Sequence, residues 1–171
     1  MHSSLKRALA GALVILALPA PFAAFAQSGL DVSLTARRVA VDARGRETFA
    51  PATEAKPGQV VEYRAAYRNG GASSVREVQA TLPIPQGTEY VASTARPAQP
   101  LASLDGRTFA AMPLTRKVKL SNGEVVVKEV PVSEYRYLRW SLGAIDAGRT
   151  ETVTARVRIA PLVAAAPPSG R

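Results

Sequence analysis

The stretch PGQVVEYRAAYRNGG, residues 57–71, decides the fold class, because it holds a turn, a long alternating strand and a second turn without interruption. Apolar and aromatic residues occupy its odd positions from Val61 to Tyr67, and charged residues such as Glu62 stand between them. A period of two is typical of a strand with one buried face. The pattern therefore predicts a sheet strand that carries Tyr63 and Tyr67 into the interior of the protein.

Turn residues bound this strand on both sides. Pro57-Gly58 precedes it, and in such a pair proline fixes φ while glycine takes a backbone conformation that other residues avoid. Asn69-Gly70-Gly71 follows it, with residues that tolerate a positive φ. We therefore expect the chain to reverse direction at both ends of the strand.

Short alternating segments separated by turn residues recur along the rest of the chain. Arg38 to Glu47 is interpreted as an exposed connection, and no stretch after residue 26 shows sustained helical periodicity. Short strands between turn signals are typical of a β-sandwich. The sequence therefore predicts an all-β, Ig-like antiparallel β-sandwich. Its further strands are expected at residues 30–36, 75–85, 88–92, 135–142 and 151–159.

A β-hairpin is predicted in RKVKLSNGEVVVKEV, residues 116–130. Asn122-Gly123 lies at its centre, and this dipeptide favours a two-residue type I′ turn. Such a turn would place Leu120 opposite Val125. The tip of the hairpin is therefore the clearest candidate for a projecting recognition element.

The N-terminal residues have the layout of a secretory signal peptide. Lys6 and Arg7 precede an apolar run of roughly a dozen residues, which ends in small residues before Ala26. Such a run is too short to cross a hydrocarbon core of about 30 Å as a helix, although an uncleaved membrane anchor remains the lesser alternative. We expect a signal peptide at residues 1–26, one domain at residues 27–160 and an Ala- and Pro-rich flexible tail at residues 161–171. The expected location is periplasmic or extracellular.

Composition bounds the chemistry of the exported chain. The sequence has no cysteine, and its only histidine, His2, lies in the predicted signal peptide. Cleavage would therefore remove the usual bases for Ser-His-Asp or Cys-His catalysis and the nitrogen and sulfur ligands of zinc sites. A hydrolase with paired carboxylates is an unfavoured alternative, because the acidic residues are scattered singly. We predict no catalytic residues and no cofactor.

Three aspartates lie in turn-like segments and are the candidate calcium ligands: Asp42, Asp105 and Asp146. None belongs to a loop with ligands at alternate positions. Aspartate near glycine is first a turn residue that bonds its own backbone. The sequence therefore predicts no metal site, and it leaves weak calcium binding open.

Basic residues outnumber acidic ones. Loss of Lys6 and Arg7 reduces 22 Lys and Arg residues to 20, which face 13 Asp and Glu residues, a net charge of +7. Arginines at solvent-facing strand positions could contact envelope polyanions such as lipopolysaccharide, or they could simply keep the domain soluble. Tyr135 and Tyr137, which flank Arg136, are candidates for surface use.

Three segments resemble the DUF11, or conserved repeat, family of Ig-like modules from bacterial envelope proteins. They are PGQVVEYRAAYRNGG at 57–71, VQATLPIPQGTEYV at 78–91 and WSLGAIDAGRTETVTARVRI at 140–159. Their order matches the family pattern. The region 96–139 is longer than in a minimal repeat, so the hairpin is identified as an insertion.

The resemblance implies a non-catalytic structural or protein-interaction module of the cell envelope. The implied partner is an envelope protein, with an envelope polyanion as the alternative; export argues against nucleic acid, and cleavage would leave no integral membrane anchor. A carboxylate-dependent hydrolase is the second alternative. The candidate contact residues are the hairpin tip and four arginines of later strands: Ser121, Asn122, Gly123, Glu124, Arg136, Arg139, Arg156 and Arg158.

Overall fold

The computed structural model describes residues 29–161, so the predicted signal peptide and residues 162–171 of the predicted tail lie outside the described residues. The described part consists of strands and two short 3₁₀ helices. The strands are β1 (Leu30–Val41), β2 (Glu47–Pro51), β3 (Val60–Asn69), β4 (Val75–Pro83), β5 (Thr88–Tyr90), β6 (Leu101–Ser103), β7 (Thr115–Lys119), β8 (Val125–Glu129), β9 (Tyr137–Ile145) and β10 (Thr150–Ile159). The 3₁₀ helices are η1 (Ala52–Glu54) and η2 (Val132–Glu134).

Two antiparallel sheets form the body of the domain. Sheet A has the strand order β2-β1-β3-β10-β5, and sheet B has the order β4-β9-β6. β4 packs on β3, and β9 packs on β10. β7 and β8 form a separate two-stranded hairpin. The predicted all-β antiparallel sandwich with an additional hairpin is confirmed.

The core lies between the inner faces of the two sheets, because alternate residues of each central strand point toward the other sheet. Tyr67 is 7% exposed, and Tyr63 packs against the buried cluster, so the predicted interior position of both tyrosines is confirmed. Each large apolar side chain buried here contributes roughly 1.5–3 kcal/mol of stability. The strands contribute Val61 and Ala65 from β3, Val78, Ala80 and Leu82 from β4, Leu138 and Trp140 from β9, and Val153, Ala155 and Val157 from β10.

The predicted connection at Arg38 to Glu47 is wrong. β1 continues to Val41 and then turns into β2, which pairs with its second half. One carboxylate oxygen of Asp42 accepts hydrogen bonds from the N–H groups of Arg44 and Arg46, which closes the turn. The consecutive arginines had hidden the alternation, because their charged side chains do not distinguish the two faces of a strand.

The third strand of sheet B, β6, was not predicted from the sequence. It pairs with β9, and its residue Ala102 also forms an isolated bridge to Ala110. Pro97 and Pro100 closely precede β6. Prolines are rare inside sheets, so the sequence of this region indicated irregular structure.

The two turns beside β3 differ in character. Gly58 has a φ of 84°, and the N–H of Gln59 bonds the carbonyl of Lys56, so the predicted turn at Pro57-Gly58 is confirmed. Asn69, Gly70 and Gly71 have no positive φ, so that explanation of the second turn is wrong.

The structure gives the second turn a different role, which depends on close backbone approach. A Cβ atom added at Gly29 would lie 2.6 Å from the backbone nitrogen of Gly71. Asn69 beside it is fully buried, and its side-chain amide bonds three backbone groups. The turn therefore ties the start of β1 to the end of β3.

Candidate interaction surfaces

The hairpin β7–β8 is anchored at its base. The N–H of Val130 donates to the carbonyl of Leu114 at 2.8 Å, and the N–H of Leu114 donates to the hydroxyl of Tyr135 at 2.9 Å. Arg116 forms a bidentate ion pair with Glu134 of η2, with N···O distances of 2.6 and 2.9 Å. Among residues 29–161, the two strands pair only with each other. The hairpin therefore projects from a fixed base.

The predicted register of the hairpin is wrong by one residue. Lys119, not Leu120, lies opposite Val125. Gly123 has a φ of 88°, its N–H donates to the carbonyl of Leu120, and the N–H of Leu120 donates to the carbonyl of Glu124. This is the three-residue loop with a bulge at a left-handed glycine, not the two-residue type I′ turn.

The observed register puts apolar and basic side chains on one face. Val125 and Val127 are 58% and 65% exposed, and they lie opposite Lys119 and Lys117 respectively. Paired residues of an antiparallel ladder project from the same face. One face of the hairpin is therefore an exposed stripe of valine and lysine, which we call the valine–lysine face.

The predicted tip residues lie together in the exposed loop. The side-chain oxygen of Asn122 accepts a hydrogen bond from the N–H of Glu124 at 3.0 Å, so the tip is held in its own turn. Ser121 and Gly123 are exposed beside them. The sequence identified the tip but not the valine–lysine face, because that face depends on the register.

Arg156 lies on the outer face of sheet A in an ion-pair network. Its two terminal nitrogens bond the Glu47 carboxylate at 2.6 and 2.7 Å, and its Nε bonds Glu62 at 3.1 Å. The hydrogen bonds with Glu47 raise the pKa of Arg156, and the same contact lowers the pKa of Glu47. Arg37 also pairs with Glu62 at 3.1 Å and lies over the ring of Phe49 at 4.1 Å. Arg156 therefore serves an internal network.

Arg139 and Arg136 are likewise engaged. The guanidinium of Arg139 stacks on the Phe109 ring at 3.5 Å and donates to the hydroxyl of Thr81. Arg136 donates to the carbonyls of Ser133 and Tyr135 at 2.7 and 2.9 Å. Both belong to the sheet B side of the molecule, whereas Arg156 belongs to sheet A.

Arg158 is exposed on β10, next to Glu89 of β5 in the ladder. It and Arg156 lie on sheet A, so the structure does not bring the four predicted arginines into one footprint. Sequence reasoning missed the glutamates that engage Arg156, because Glu47 and Glu62 become its neighbours only through the order of the strands.

The predicted surface use of Tyr135 is wrong. Tyr135 is 1% exposed and its hydroxyl faces the hairpin base. The Tyr137 ring is partly buried, and a Cβ atom at Gly106 would lie 2.9 Å from it. The neighbouring arginine had suggested surface use for both tyrosines, but the loop after β6, which contains Gly106, and the hairpin base cover this end of β9.

A groove of about 720 Å³ lies between the loop after β5, the segment before β7 and η2. Its apolar lining includes Tyr90, Met112 and Val132, and Arg96 also lines it. Arg96 already donates to the carbonyls of Ser93 and Ala95. The lining residues include no carboxylate, so this groove has no acid–base pair.

The turn aspartates bond their own backbone. Hydrogen bonds from the N–H groups of Arg107 and Thr108 lower the pKa of Asp105, and a backbone hydrogen bond from Arg46 is the main reason why the pKa of Asp42 is lowered. The carbonyl of Asp146 accepts the N–H of Arg149 in a turn. Within residues 29–161, no three His, Cys, Asp or Glu side chains are grouped as metal ligands would be.

In the described part of the chain, no helix has the length and apolar character needed to span a membrane. Comparisons with protein-family models, curated proteins and solved structures return no significant match. The resemblance to the DUF11 family therefore stays a prediction from sequence motifs.

Proposed function

We propose that this chain is a non-catalytic, exported interaction module of the bacterial cell envelope, and that the hairpin β7–β8 is its main recognition element. The observation that carries the proposal is the exposure of Val125 and Val127 on a projecting hairpin. Exposed apolar side chains grouped on one element are typical of a protein contact site. The resemblance to the DUF11 family supports the envelope setting.

The anchoring of the hairpin favours recognition over a passive loop. Ion pairing of Arg116 and the hydrogen bond between Leu114 and Tyr135 fix the base before any partner binds. A fixed element loses less conformational entropy on binding than a flexible one. Because the two strands of the hairpin are already paired, the hairpin can bind a partner with useful affinity even through a small contact area.

The chemistry of the valine–lysine face indicates the class of partner. Val125 and Val127 offer apolar contact, and Lys117 and Lys119 lie beside them. The complementary surface has an apolar depression bordered by Asp or Glu side chains. We therefore propose an envelope protein with such an acidic-rimmed apolar patch as the partner.

Four engaged carboxylates support the non-catalytic part of the proposal. Glu47 and Glu62 are paired with Arg156, and the carboxylates of Asp42 and Asp105 accept backbone hydrogen bonds. The ion pair with Arg156 lowers the pKa of Glu47, and backbone hydrogen bonds lower the pKa values of Asp42 and Asp105, so these three carboxylates are poor general bases. This engagement disfavours the hydrolase alternative.

Polyanion binding is the weaker alternative proposal. Arg64, Arg68 and Arg158 are exposed on sheet A and form no ion pair within residues 29–161. Three separated guanidiniums support weak, salt-sensitive attraction to lipopolysaccharide. A compact basic footprint would also require the arginines that already pair with glutamates or donate to backbone carbonyls.

Capture from envelope extract with matched variants tests the proposal. Val127→Lys places a charge on the valine–lysine face, and Val41→Lys makes the same change at a site of equal 65% exposure on sheet A. We expect Val127→Lys to lose the captured protein and Val41→Lys to retain it. A variant with the tip Ser121–Glu124 shortened should also lose it.

Salt separates the two alternatives. Capture through the valine–lysine face should persist at about 0.5 M salt, where the Debye length is only a few ångströms. Two results together contradict the hairpin proposal and support polyanion binding. The first is retention on a lipopolysaccharide matrix that is lost at this salt concentration. The second is that Val127→Lys is retained on the matrix as well as the unsubstituted protein is.

A further inference from the structure

The N-terminal half of β1 is an open sheet edge. β2 pairs with β1 only from Arg37 to Val41, whereas β3 pairs with it from Leu30 onward. Residues 30–36 therefore have a strand on one side only. At roughly 3.3 Å per residue, this open half extends for about 23 Å.

Two hydrogen bonds fix which backbone groups point to the open side. The N–H of Gly70 donates to the carbonyl of Gly29, so odd-numbered residues of β1 bond β3. The N–H of Asp42 donates to the carbonyl of Arg46, so even-numbered residues point the other way, toward β2. β2 does not extend along residues 30–36, so the backbone groups of Leu30, Val32 and Leu34 point to the open edge.

The side chains of the same residues lie on an uncovered part of the inner face. Val32 pairs with Tyr67 and Leu34 pairs with Ala65, whose side chains point into the core. Val32 and Leu34 are nevertheless 57% and 53% exposed. Sheet B ends at β4, which packs on β3, so it has no strand opposite β1.

Other edges of the sandwich carry protection against strand pairing. In β4, Pro83 has no N–H, and the register is irregular between Val75 and Val78.

β2 ends in a proline, Pro51, and its first residue Glu47 is tied to Arg156. The open half of β1, in contrast, contains no proline and no lysine, and Asp31 is its only charged residue. It is therefore the least protected of these three edges.

We propose that the open half of β1 pairs antiparallel with the same segment of a second copy of this chain, with the two-fold axis at Val32. Leu30 then lies opposite Leu34 of the second copy, and the two Val32 residues lie opposite each other. In this register each even-numbered residue lies opposite an even-numbered residue of the second copy. The backbone groups of both residues point to the open edge, so the two residues can exchange hydrogen bonds. The apolar side chains of both copies form one patch on the inner face.

Self-complementarity favours a second copy over an unrelated strand. On the outer face Asp31 lies opposite Ser33 of the second copy, so no like charges meet, and Asp31 keeps Arg68 as its own neighbour. An isologous two-fold contact is the commonest form of homo-oligomer. The overlap spans residues 30–34, which keeps each copy away from η1 and β2 of the other.

The contact is short, so the dimer is weak. A pair of five-residue segments buries less than the roughly 1,200 Å² of a stable interface, and we expect dissociation constants of about 10 μM to 1 mM. Two copies joined this way would present two hairpins, so the dimer would bind a repetitive partner with avidity. The pairing itself does not depend on the proposed role of the hairpin.

Sedimentation velocity of the purified full chain tests the proposal across about 1 μM to 1 mM, the range of weak association. Val32→Pro removes an outward N–H without removing a bond to β3, and an edge strand tolerates proline there. Its dimer should dissociate at least about tenfold more readily, because carbonyl partners lose their donor. Circular dichroism checks that the fold is retained.

Val125→Pro is the matched control. Val125 is 58% exposed, close to the 57% of Val32, and its N–H faces the free side of β8. It should leave the dimer unchanged. Leu34→Lys is the second test variant if Val32→Pro does not fold, and it should weaken the dimer by a comparable factor.

Three outcomes overturn the proposal. They are a chain that stays monomeric throughout the range, a dimer unaffected by Val32→Pro or Leu34→Lys, and a dimer lost in Val125→Pro instead. A monomeric chain that captures another envelope protein only when Val32 is intact would assign the edge to a strand of that protein.

Discussion

The hydroxyl of Tyr135 accepts a hydrogen bond from the backbone N–H of Leu114 at 2.9 Å, and this contact joins the hairpin base to the sandwich. Tyr135 lies just before β9 and is 1% exposed, so its hydroxyl has no access to bulk water. One buried side chain therefore connects the core to the proposed recognition element.

Tyr135→Phe should lower the free energy of unfolding by about 1–3 kcal/mol, because the Leu114 N–H would be buried without an acceptor. Urea denaturation followed by tryptophan fluorescence measures the change through Trp140. Tyr137→Phe is the matched control, since the Tyr137 ring is only partly buried, and it should cost at most about 0.5 kcal/mol. Equal losses in both variants would contradict a specific role for the Leu114 contact.

Asn69 should be among the polar residues most sensitive to substitution. Its amide nitrogen donates to the carbonyls of Ser73 and Ile145 at 2.8 Å, and its oxygen accepts the N–H of Gly71. Asn69→Ala leaves these buried groups unpaired and should cost about 2–4 kcal/mol in chemical denaturation.

Asn122→Ala is the control for Asn69, because Asn122 also bonds a backbone N–H but lies in an exposed turn. It should cost less than about 1 kcal/mol, since water can replace the lost acceptor. A loss for Asn122→Ala as large as that for Asn69→Ala would show that burial does not govern these amides.

The sequence predicted elements whose pattern is local. Strand β3 and the turn at Pro57-Gly58 depend on neighbouring residues only, so a period of two and a proline–glycine pair were sufficient. Asn69 shows the limit of prediction from local patterns. Its hydrogen-bond partner Ile145 is 76 residues away and lies at the end of β9. Local propensity suggested a positive φ, whereas tertiary hydrogen bonding determines the role of the residue.

The candidate site was predictable in place but not in detail. Asn122-Gly123 located the hairpin tip, yet a two-residue and a three-residue loop both accept this dipeptide, and the difference of one residue exchanges the faces. The roles of the arginines depended on partners far along the chain: Glu47 is 109 residues from Arg156. Charge counting cannot distinguish a paired guanidinium from an available one.

Arg156→Gln should destabilise the domain, because Glu62 is 11% exposed and would lose its closest partner on β10. We expect a loss of about 1–2 kcal/mol, which is reduced by the partial exposure of Arg156. Arg158→Gln changes an exposed residue on the same strand and should cost at most about 0.5 kcal/mol. Thermal unfolding at low and high salt checks both, and a larger loss in Arg158→Gln would contradict the network.

Asp105 should make stability depend on pH in the acid range. Its side chain accepts hydrogen bonds from the N–H groups of Arg107 and Thr108 and from the hydroxyl of Ser103, which hold its pKa below the ordinary value. The unfolded chain therefore binds a proton more readily than the folded one, so the contribution of Asp105 is complete above about pH 5 and is lost as the pH falls through the lowered pKa.

Asp105→Asn keeps an acceptor oxygen but removes the charge, so it isolates the titration. The difference in melting temperature between the two proteins should be constant from about pH 6 to pH 8 and should shrink as the pH falls from about 5 toward 2. Circular dichroism melts across this range measure it, and the neutral range is the internal control. A difference that stays constant or grows at low pH would mean that the backbone hydrogen bonds do not stabilise the ionised carboxylate.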